Sequence, residues 1–341
     1  VAIAQATAAG SAAPSGGGDE WEAGMNKQVK VTTTIAESVL EPGARVLVTG
    51  SAGRLGRSVV TALAEAGHEV FGVDPAPGTP GTAAAVLPAD LTDLGEAFEA
   101  MARFRPHAVV HLAAIATPFS RTDAYTYRVN TQLAFNVCEA AAHCGGVERV
   151  VVASSPTVIG YGAPYGWEPS YLPIDEEHPV APWNAYSLSK QAAEHTMRMF
   201  AGAYGDRIRY AALRPCFVVA PEEWHGAPTQ SGHRIAERLD RPELGAVSLF
   251  NYIDARDAAE FVRCLLDGLP ALRNGEVFFA GAADALAREP LAELLPRHLP
   301  ATAPHSAALG GTAPAFSSAK AEALLGWRPK RSWRTELATE V

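Results

Sequence analysis

From Arg45 onward the chain alternates between two patterns. Short uninterrupted apolar runs are separated by longer stretches in which apolar residues recur every third or fourth position. The runs at 45–49, 69–73, 108–112, 150–153 and 209–213 are too short for helices and rich in valine, which predicts strands. They lack an apolar/polar alternation, so each strand is expected to be covered on both faces, as in a parallel sheet. The helical period predicts helices over 55–66, 131–143 and 186–203. Strand and helix in repeated succession predict an α/β fold, a doubly wound parallel sheet of the Rossmann type. After Pro221 the chain becomes rich in Pro, Gly and polar residues, with shorter helices expected over 257–266, 291–298 and 318–325. That change predicts a small C-terminal lobe, mainly 221–341, with return elements to the sheet at about 251–280. No internal repeat is visible.

The first residues differ in kind. Residues 1–18 are mostly Ala, Gly, Ser and Thr, with no basic start ahead of an apolar block and no Arg-rich bias. Neither a secretory signal nor a transit peptide is expected there. A low-complexity extension over 1–42 has little to bury and is expected to be flexible. Met25 as a natural start and a genuine tail both remain open. The whole chain has 341 residues, 48% of them hydrophobic, enough to fill one large core or two modest ones. Lys and Arg number 28 against 37 Asp and Glu, a formal charge of -9 that disfavours nucleic acid and anionic membrane as partners. The longest apolar stretches are about half of the roughly 20 residues that a membrane helix requires. Four cysteines without Cys-x-x-Cys spacing fit a reduced, cytoplasmic protein better than a disulfide framework or a zinc site.

Between the first strand and the first helix stands Thr49-Gly-Ser-Ala-Gly-Arg-Leu-Gly56. A dinucleotide diphosphate needs backbone N–H groups at a helix N-terminus and a turn without side chains in the way. Gly50, Gly53 and Gly56, followed by Arg54 and Leu55 on the same turn, supply that pattern. Three glycines alone fit a plain strand–helix turn equally, since the chain has 30. The second strand, however, ends at Asp74, where a carboxylate can accept both ribose hydroxyls of NAD and repel a 2′-phosphate. NAD is therefore expected over NADP, and residues 43–220 are read as the NAD-binding domain. Arg54 could oppose that preference by pairing with a 2′-phosphate. Asp90 and Leu91, after the third strand, are placed to meet the adenine edge, and Asp90 could equally be a helix N-cap.

Tyr186 and Lys190 lie four residues apart on one helix face. A phenol is a poor acid–base catalyst at neutral pH unless a cation favours the phenolate, and Lys190 is positioned to be that cation. It could also hold a nicotinamide ribose. Ser154 and Ser155 close the fifth strand, at the edge where ligands bind in open α/β sheets. A serine there could hold a substrate oxygen while Tyr186 moves the proton and NAD exchanges a hydride.

With those residues in place, the stretch from Arg45 to about Trp333 resembles the extended short-chain dehydrogenase/reductase superfamily, the NAD-dependent epimerase/dehydratase group. The turn at 49–56, Asp74, Asp90-Leu91, His111 to Ala114, Asn130, Ser154 to Gly160, Tyr186 to Lys190, Leu213-Arg-Pro215, Tyr252 to Asp257 and Leu325-Gly-Trp327 carry the likeness. The resemblance implies that Ser155 is the catalytic hydroxyl, Tyr186 the acid/base and Lys190 its partner. It implies further that Leu112, Ala113, Ala114 and Pro215 line the cofactor, with Asn130 supporting the site. A homodimer through the helices near Thr131 and Tyr186 is common in that superfamily.

Departures from the family pattern narrow the reaction. Sugar-nucleotide dehydratases carry an Asp-Glu pair where this chain has Pro156-Thr157, so water elimination would lack its acid and base. Nucleotide-sugar epimerases usually carry an Arg where Phe250 stands, and the stretch from Pro221 to Phe250 is short for enclosing a nucleotide base. The segment 153–161 and the compact second half are similar to hexuronate dehydrogenases. An NAD-dependent dehydrogenase acting on a sugar or sugar-like secondary alcohol is therefore the leading expectation. The alternative is a nucleotide-sugar epimerase with tightly held NAD, and the third reading is a non-catalytic NAD-binding protein.

The remaining candidates are read plainly. Arg234, Arg238 and Arg241 form a solvated helix face more readily than a charge site. His111 is expected to be packed near the cofactor, and Cys216 to touch nicotinamide without acting as a nucleophile. Glu176, Glu177 and His178 are expected in a polar loop above the site; no metal is expected. Trp224, His225 and His233 are candidates for substrate specificity.

Overall fold

A computed structural model describes residues 39–76 and 82–340. The extension expected over 1–42 lies outside them as far as residue 38. Nine strands and a series of helices follow in chain order among the described residues. The first half runs β1 (Arg45–Thr49), α1 (Arg54–Glu65), β2 (Glu69–Val73), β3 (Ala85–Leu87), α2 (Leu94–Phe104), β4 (Ala108–His111), α3 (Asp123–His143), β5 (Arg149–Ala153), α4 (Ala185–Tyr204) and β6 (Arg209–Pro215). There follow β7 (Val218–Val219), α5 (Pro221–Trp224), α6 (Ile235–Asp240), α7 (Glu243–Ala246), β8 (Ile253–Asp254), α8 (Ala255–Gly268) and β9 (Glu276–Ala280), with short helices beyond.

Seven strands form one parallel sheet in the order β3-β2-β1-β4-β5-β6-β9. The doubly wound α/β expectation is met. The valine-rich runs explain it, because successive side chains point to opposite faces and both faces are covered. Val46, Val48, Val110, Val151 and Leu213 pack with Val59 and Leu63 of α1 and Phe261, Val262 and Leu265 of α8. Leu47, Val109, Val150 and Val152 pack on the other side with Met101 of α2, Val137 of α3 and Met197 of α4. Each such fully buried side chain contributes about 1.5–3 kcal/mol relative to exposure.

A third, smaller apolar cluster lies apart from these layers: Val219, Trp224, Ile235, Leu239, Tyr252, Leu286 and Trp333. β7 and β8 pair there as a two-stranded parallel piece outside the main sheet. The chain also returns to the main sheet at β9, pairing with β6.

Two local features set the site. The order in which strands are added reverses about the β1/β4 neighbour pair, which opens a crevice at the carboxyl ends of those strands. α4 begins with a capping box, in which Asn184 accepts from the Ser187 N–H at 2.9 Å while the Ser187 hydroxyl reaches the Asn184 N–H at 3.4 Å. That cap places Tyr186 in the opening turn and Lys190 one turn on. Helix α3 starts two turns earlier than its apolar period indicated, because Tyr125, Tyr127 and Arg128 in those turns face outward.

Candidate active site

A cleft of about 940 Å³ follows the carboxyl edge of the sheet from the β1–α1 turn to the segment around Asn251. Its first wall is the glycine turn. Gly50 has φ +69°, and a Cβ there would stand 2.7 Å from the Ala113 nitrogen. A Cβ on Gly56 would stand 2.1 Å from the Gly50 oxygen, so the opening turn of α1 lies directly on the strand end. Gly53 caps α1 without any side-chain hydrogen bond, and no acidic residue occupies the first turn. The helix therefore presents uncapped N–H donors to the cleft, which fits a diphosphate.

Asp74 is fixed at the end of β2. One of its oxygens accepts from the Ala52 N–H at 3.1 Å and the other from the Ala76 N–H at 3.0 Å. Arg54 lines the cleft, but its guanidinium pairs with the buried Glu223, and Arg57 pairs with Glu222. The cation that could have favoured a 2′-phosphate is thus already neutralised. Asp90 and Leu91 line the same end, and Asp90 accepts from the Thr92 N–H and hydroxyl at 3.0 and 2.8 Å. The cap of α2 is Asp93 instead, accepting from the Glu96 N–H. Leu55, Leu112, Ala113, Ala114 and Pro215 also line the cleft. Asn130 does not. It is buried behind the wall, accepting from the Ile115 N–H at 2.8 Å and donating to the Ile115 carbonyl and Ser189, so it positions the loop after β4. Among the described residues the pattern of donors, glycines and carboxylate fits NAD.

Ser155, Tyr186 and Lys190 come together at the far side of the crevice. The Lys190 ammonium donates to the Ala153 carbonyl at 2.9 Å and lies 5.9 Å from the Tyr186 ring centroid. Burial pushes Lys190 down to about 8. Burial also raises Tyr186, and its hydrogen bond with Ser155 pulls the other way. Burial is the larger of these two effects.

The two serines are distinguished by their partners. The Ser154 hydroxyl donates to Glu194 at 2.6 Å, and Glu194 also holds Arg214 at 2.7 and 2.9 Å, a buried set behind the site. Ser155 opens the 3-10 turn Pro156–Ile159, and its oxygen accepts from the Thr157 hydroxyl at 3.0 Å. His111 is buried against Thr49 at 2.8 Å, and burial holds it down to about 3, so it is neutral. Cys216 lines the cleft with its thiol pushed up by burial, the opposite of a nucleophile.

The substrate end departs from expectation. Trp224 is buried against Asp254 at 2.7 Å, and neither it nor His225 nor His233 lines the cleft. Gln230, Ser231, Arg238, Ser248 and Asn251 do. Arg238 is 3% exposed, not solvated. Its guanidinium carbon sits 4.4 Å from the Phe217 ring centroid, one nitrogen donates to the Ser248 hydroxyl at 3.1 Å, and its Nε has no hydrogen-bond partner. Burial pushes it down to about 10, so the cation persists at neutral pH. The signal was present in the sequence: Ile235, Arg238 and Leu239 occupy i, i+3 and i+4, the inward stripe of α6.

Other expectations are corrected or placed. Glu176 accepts from the Phe279 N–H at 2.6 Å, and none of Glu176, Glu177 and His178 lines the cleft, so that loop anchors to β9 and does not cover the site. Phe250 is fully buried, its ring filling the space beside Gly245, where a Cβ would meet it at 2.7 Å. Asp74 and Asp90 are the carboxylates among the lining residues, and both stand at the glycine-turn end. Among the described residues no group of three or more His, Cys, Asp and Glu could hold a metal, and no helix is long and apolar enough to cross a membrane.

Comparison with known proteins adds the following. The model of the NAD dependent epimerase/dehydratase family matches residues 46–281. UDP-glucose 4-epimerase of Mycolicibacterium smegmatis is 32% identical over 61% of this chain and 62% of its own length, and several curated relatives share that name. The chain thus spans less than two thirds of that relative. The 3-diazoavenalumate denitrifying reductase of a Streptomyces species is 30% identical over 87% of this chain and all of its own length. A short-chain dehydrogenase/reductase superfamily protein of Agrobacterium tumefaciens, solved with bound NAD, superposes with a TM-score of 0.65 at 24% identity, covering 86% of this chain and 95% of that one.

Proposed function

The chain belongs to the NAD-dependent epimerase/dehydratase family, and from that premise we propose that it moves hydride between NAD and a secondary alcohol of a sugar or sugar-like molecule that carries no nucleotide. Bound NAD supplies the hydride acceptor. Ser155 holds the alcohol oxygen, and Tyr186 in its phenolate form takes the hydroxyl proton as the carbon gives its hydride to NAD and becomes a carbonyl. Lys190 holds its charge beside the phenol through the Ala153 carbonyl. In the reverse direction Tyr186 returns the proton. Burial of all three side chains keeps water from competing for that proton.

One observation favours a substrate without a nucleotide. Phe250, where epimerases resembling this chain place a diphosphate-gripping Arg, is core and cannot reach the cleft. Among the described residues the reacting end also lacks a carboxylate, which speaks against dehydration. The second reading, a nucleotide-sugar epimerase with tightly held NAD, draws its support from the relatives named UDP-glucose 4-epimerase. The small cluster around Trp224 and Trp333 forms the substrate lobe in this account. Tyr127, Phe135, Leu188 and Met199, exposed on α3 and α4, are the surface through which a homodimer would form.

The test is a panel of neutral sugars, sugar acids and nucleotide sugars incubated with NAD. NADH is followed by absorbance and products by NMR. NADH accumulating in step with oxidised product on a nucleotide-free substrate supports the proposal. Interconversion of nucleotide sugars without NADH in solution overturns it in favour of the second reading.

A further inference from the structure

The cleft holds a second phenol that the hydride-transfer chemistry does not use. Tyr161 lines it, is 8% exposed, and stands just beyond the 3-10 turn that Ser155 opens. Gly160 makes the bend between them at φ +101°, where a Cβ would meet the Ala181 carbonyl oxygen at 2.4 Å. Trp167 and Phe316 hold the Tyr161 ring edge-to-face, with centroids 6.3 and 5.8 Å away. Its carbonyl accepts from the Trp183 indole at 3.0 Å. Packing therefore fixes this phenol in the wall of the cleft.

A buried phenol ordinarily gives its proton to an acceptor. The Asn251 amide beside Tyr161 has its oxygen taken by the Phe217 N–H at 2.7 Å and its nitrogen engaged with the Ser248 carbonyl. It acts on Tyr161 as a donor, favouring the phenolate, but burial outweighs it and pushes the phenol up. Cys216, also near, offers only sulfur, a weak acceptor. The two phenols thus divide the work. Tyr186 has the Lys190 ammonium near its ring and exchanges the proton. Tyr161 has no cation among the described groups acting on it, so it stays protonated with its O–H left to donate.

We infer that Tyr161 is a specificity residue whose hydroxyl donates to a substrate oxygen other than the one oxidised. The site then takes polyoxygenated molecules and discriminates against an alcohol that lacks that oxygen, because such an alcohol leaves a buried donor unpaired. This inference rests on the proposed dehydrogenase reading and deepens it.

The experiment supplies NAD with glucose, galactose, glucuronate and galacturonate, each beside its monodeoxy analogues. Wild type is compared with Tyr161→Phe, which keeps the ring and removes only the oxygen. On the probe that wild type oxidises best, removing one oxygen away from the reacting carbon should lower kcat/KM by about 5- to 150-fold, the span of leaving a buried donor unpaired. In Tyr161→Phe that discrimination shrinks to within about twofold, while discrimination at the other positions keeps its wild-type value. NAD binding, read by fluorescence titration, is unchanged. Tm stays level or rises, because a hydroxyl whose proton has no acceptor contributes nothing to the fold.

Wild type that does not discriminate among the analogues overturns the inference, as does a Tyr161→Phe variant that discriminates as wild type does. A fall in Tm without loss of discrimination assigns the hydroxyl a structural role and overturns it too. These outcomes leave the dehydrogenase reading in place. Absence of NADH with every probe, or interconversion of UDP-glucose and UDP-galactose without NADH release, instead removes the reading on which the inference stands.

Discussion

Tyr186→Phe removes one oxygen from the centre of the proposed chemistry and leaves the rest of the residue. The ring stays 8% exposed and keeps its place beside Lys190, whose nitrogen is 5.9 Å from the ring centroid. What is lost is the proton donor and acceptor of the site, and a surface or core contact is not, so the thermal melt should stay close to that of wild type. Losing a positioned acid/base lowers the rate by about 10²–10⁴, or roughly 2.7–5.4 kcal/mol of barrier. Cofactor affinity should change little, since the glycine turn and Asp74 are untouched. The assay is steady-state NADH production on the best substrate of the panel, alongside an NAD fluorescence titration and a thermal melt. A variant that turns over within about threefold of wild type, against the 10²-fold minimum expected, would refute the assignment. So would a variant that loses NAD binding as completely as it loses turnover.

Four further outcomes follow from the geometry. Gly56→Ala places a methyl 2.1 Å from the Gly50 oxygen, backbone against backbone, and should weaken NAD binding by about tenfold or more; an unchanged Kd by calorimetry contradicts the cradle. Asp74→Ser removes the carboxylate that disfavours a 2′-phosphate, so the NAD-over-NADP ratio of kcat/KM should fall by about tenfold, whereas an unchanged ratio places cofactor choice elsewhere. Glu194→Ala strands Arg214 and Ser154 in the interior, with an expected loss of about 3–5 kcal/mol in urea unfolding; a loss below about 1 kcal/mol would show that the buried set is not structural. His111 titrates near 3 in the folded protein against 6.5 when free. The unfolded chain therefore takes up the proton first, and His111's contribution is whole above about pH 6.5 and is lost as pH falls toward 3. Thermal melts of wild type and His111→Asn across that window should converge as the pH drops, and parallel curves would count against this.

The sheet was legible because valine-rich runs bury both faces of a parallel strand and leave no alternation to misread. Helix α3 was cut short in the sequence reading since its first two turns expose Tyr125, Tyr127 and Arg128, and an apolar period begins only where burial begins. The glycine turn and the Tyr186/Lys190 pair were readable because each depends on local spacing. Asn130 is named by the resemblance as a support of the site, and the contact that carries this, two bonds to Ile115 behind the wall, joins a helix to a distant loop and has no signature in local spacing. The substrate end was least legible, since loops that meet only in three dimensions carry no period. Arg238 was hidden by averaging it with Arg234 and Arg241, although its spacing from Ile235 and Leu239 marked it as inward. His225 and His233 drew attention through their chemistry, but the intervening turn points Gln230 and Ser231 to the cleft instead.

The claim beneath all of this is that a phenol, a serine and an ammonium converge on the reacting carbon of a cofactor seated on the glycine turn. A crystal structure with NAD and an unreactive substrate analogue tests it most directly. The account predicts a diphosphate on the N–H groups following Gly53, and the oxygens of Tyr186 and Ser155 both within about 2.6–3.2 Å of the analogue's oxygen. A cofactor bound elsewhere, or a Tyr186 hydroxyl turned away from the nicotinamide ring, would contradict it.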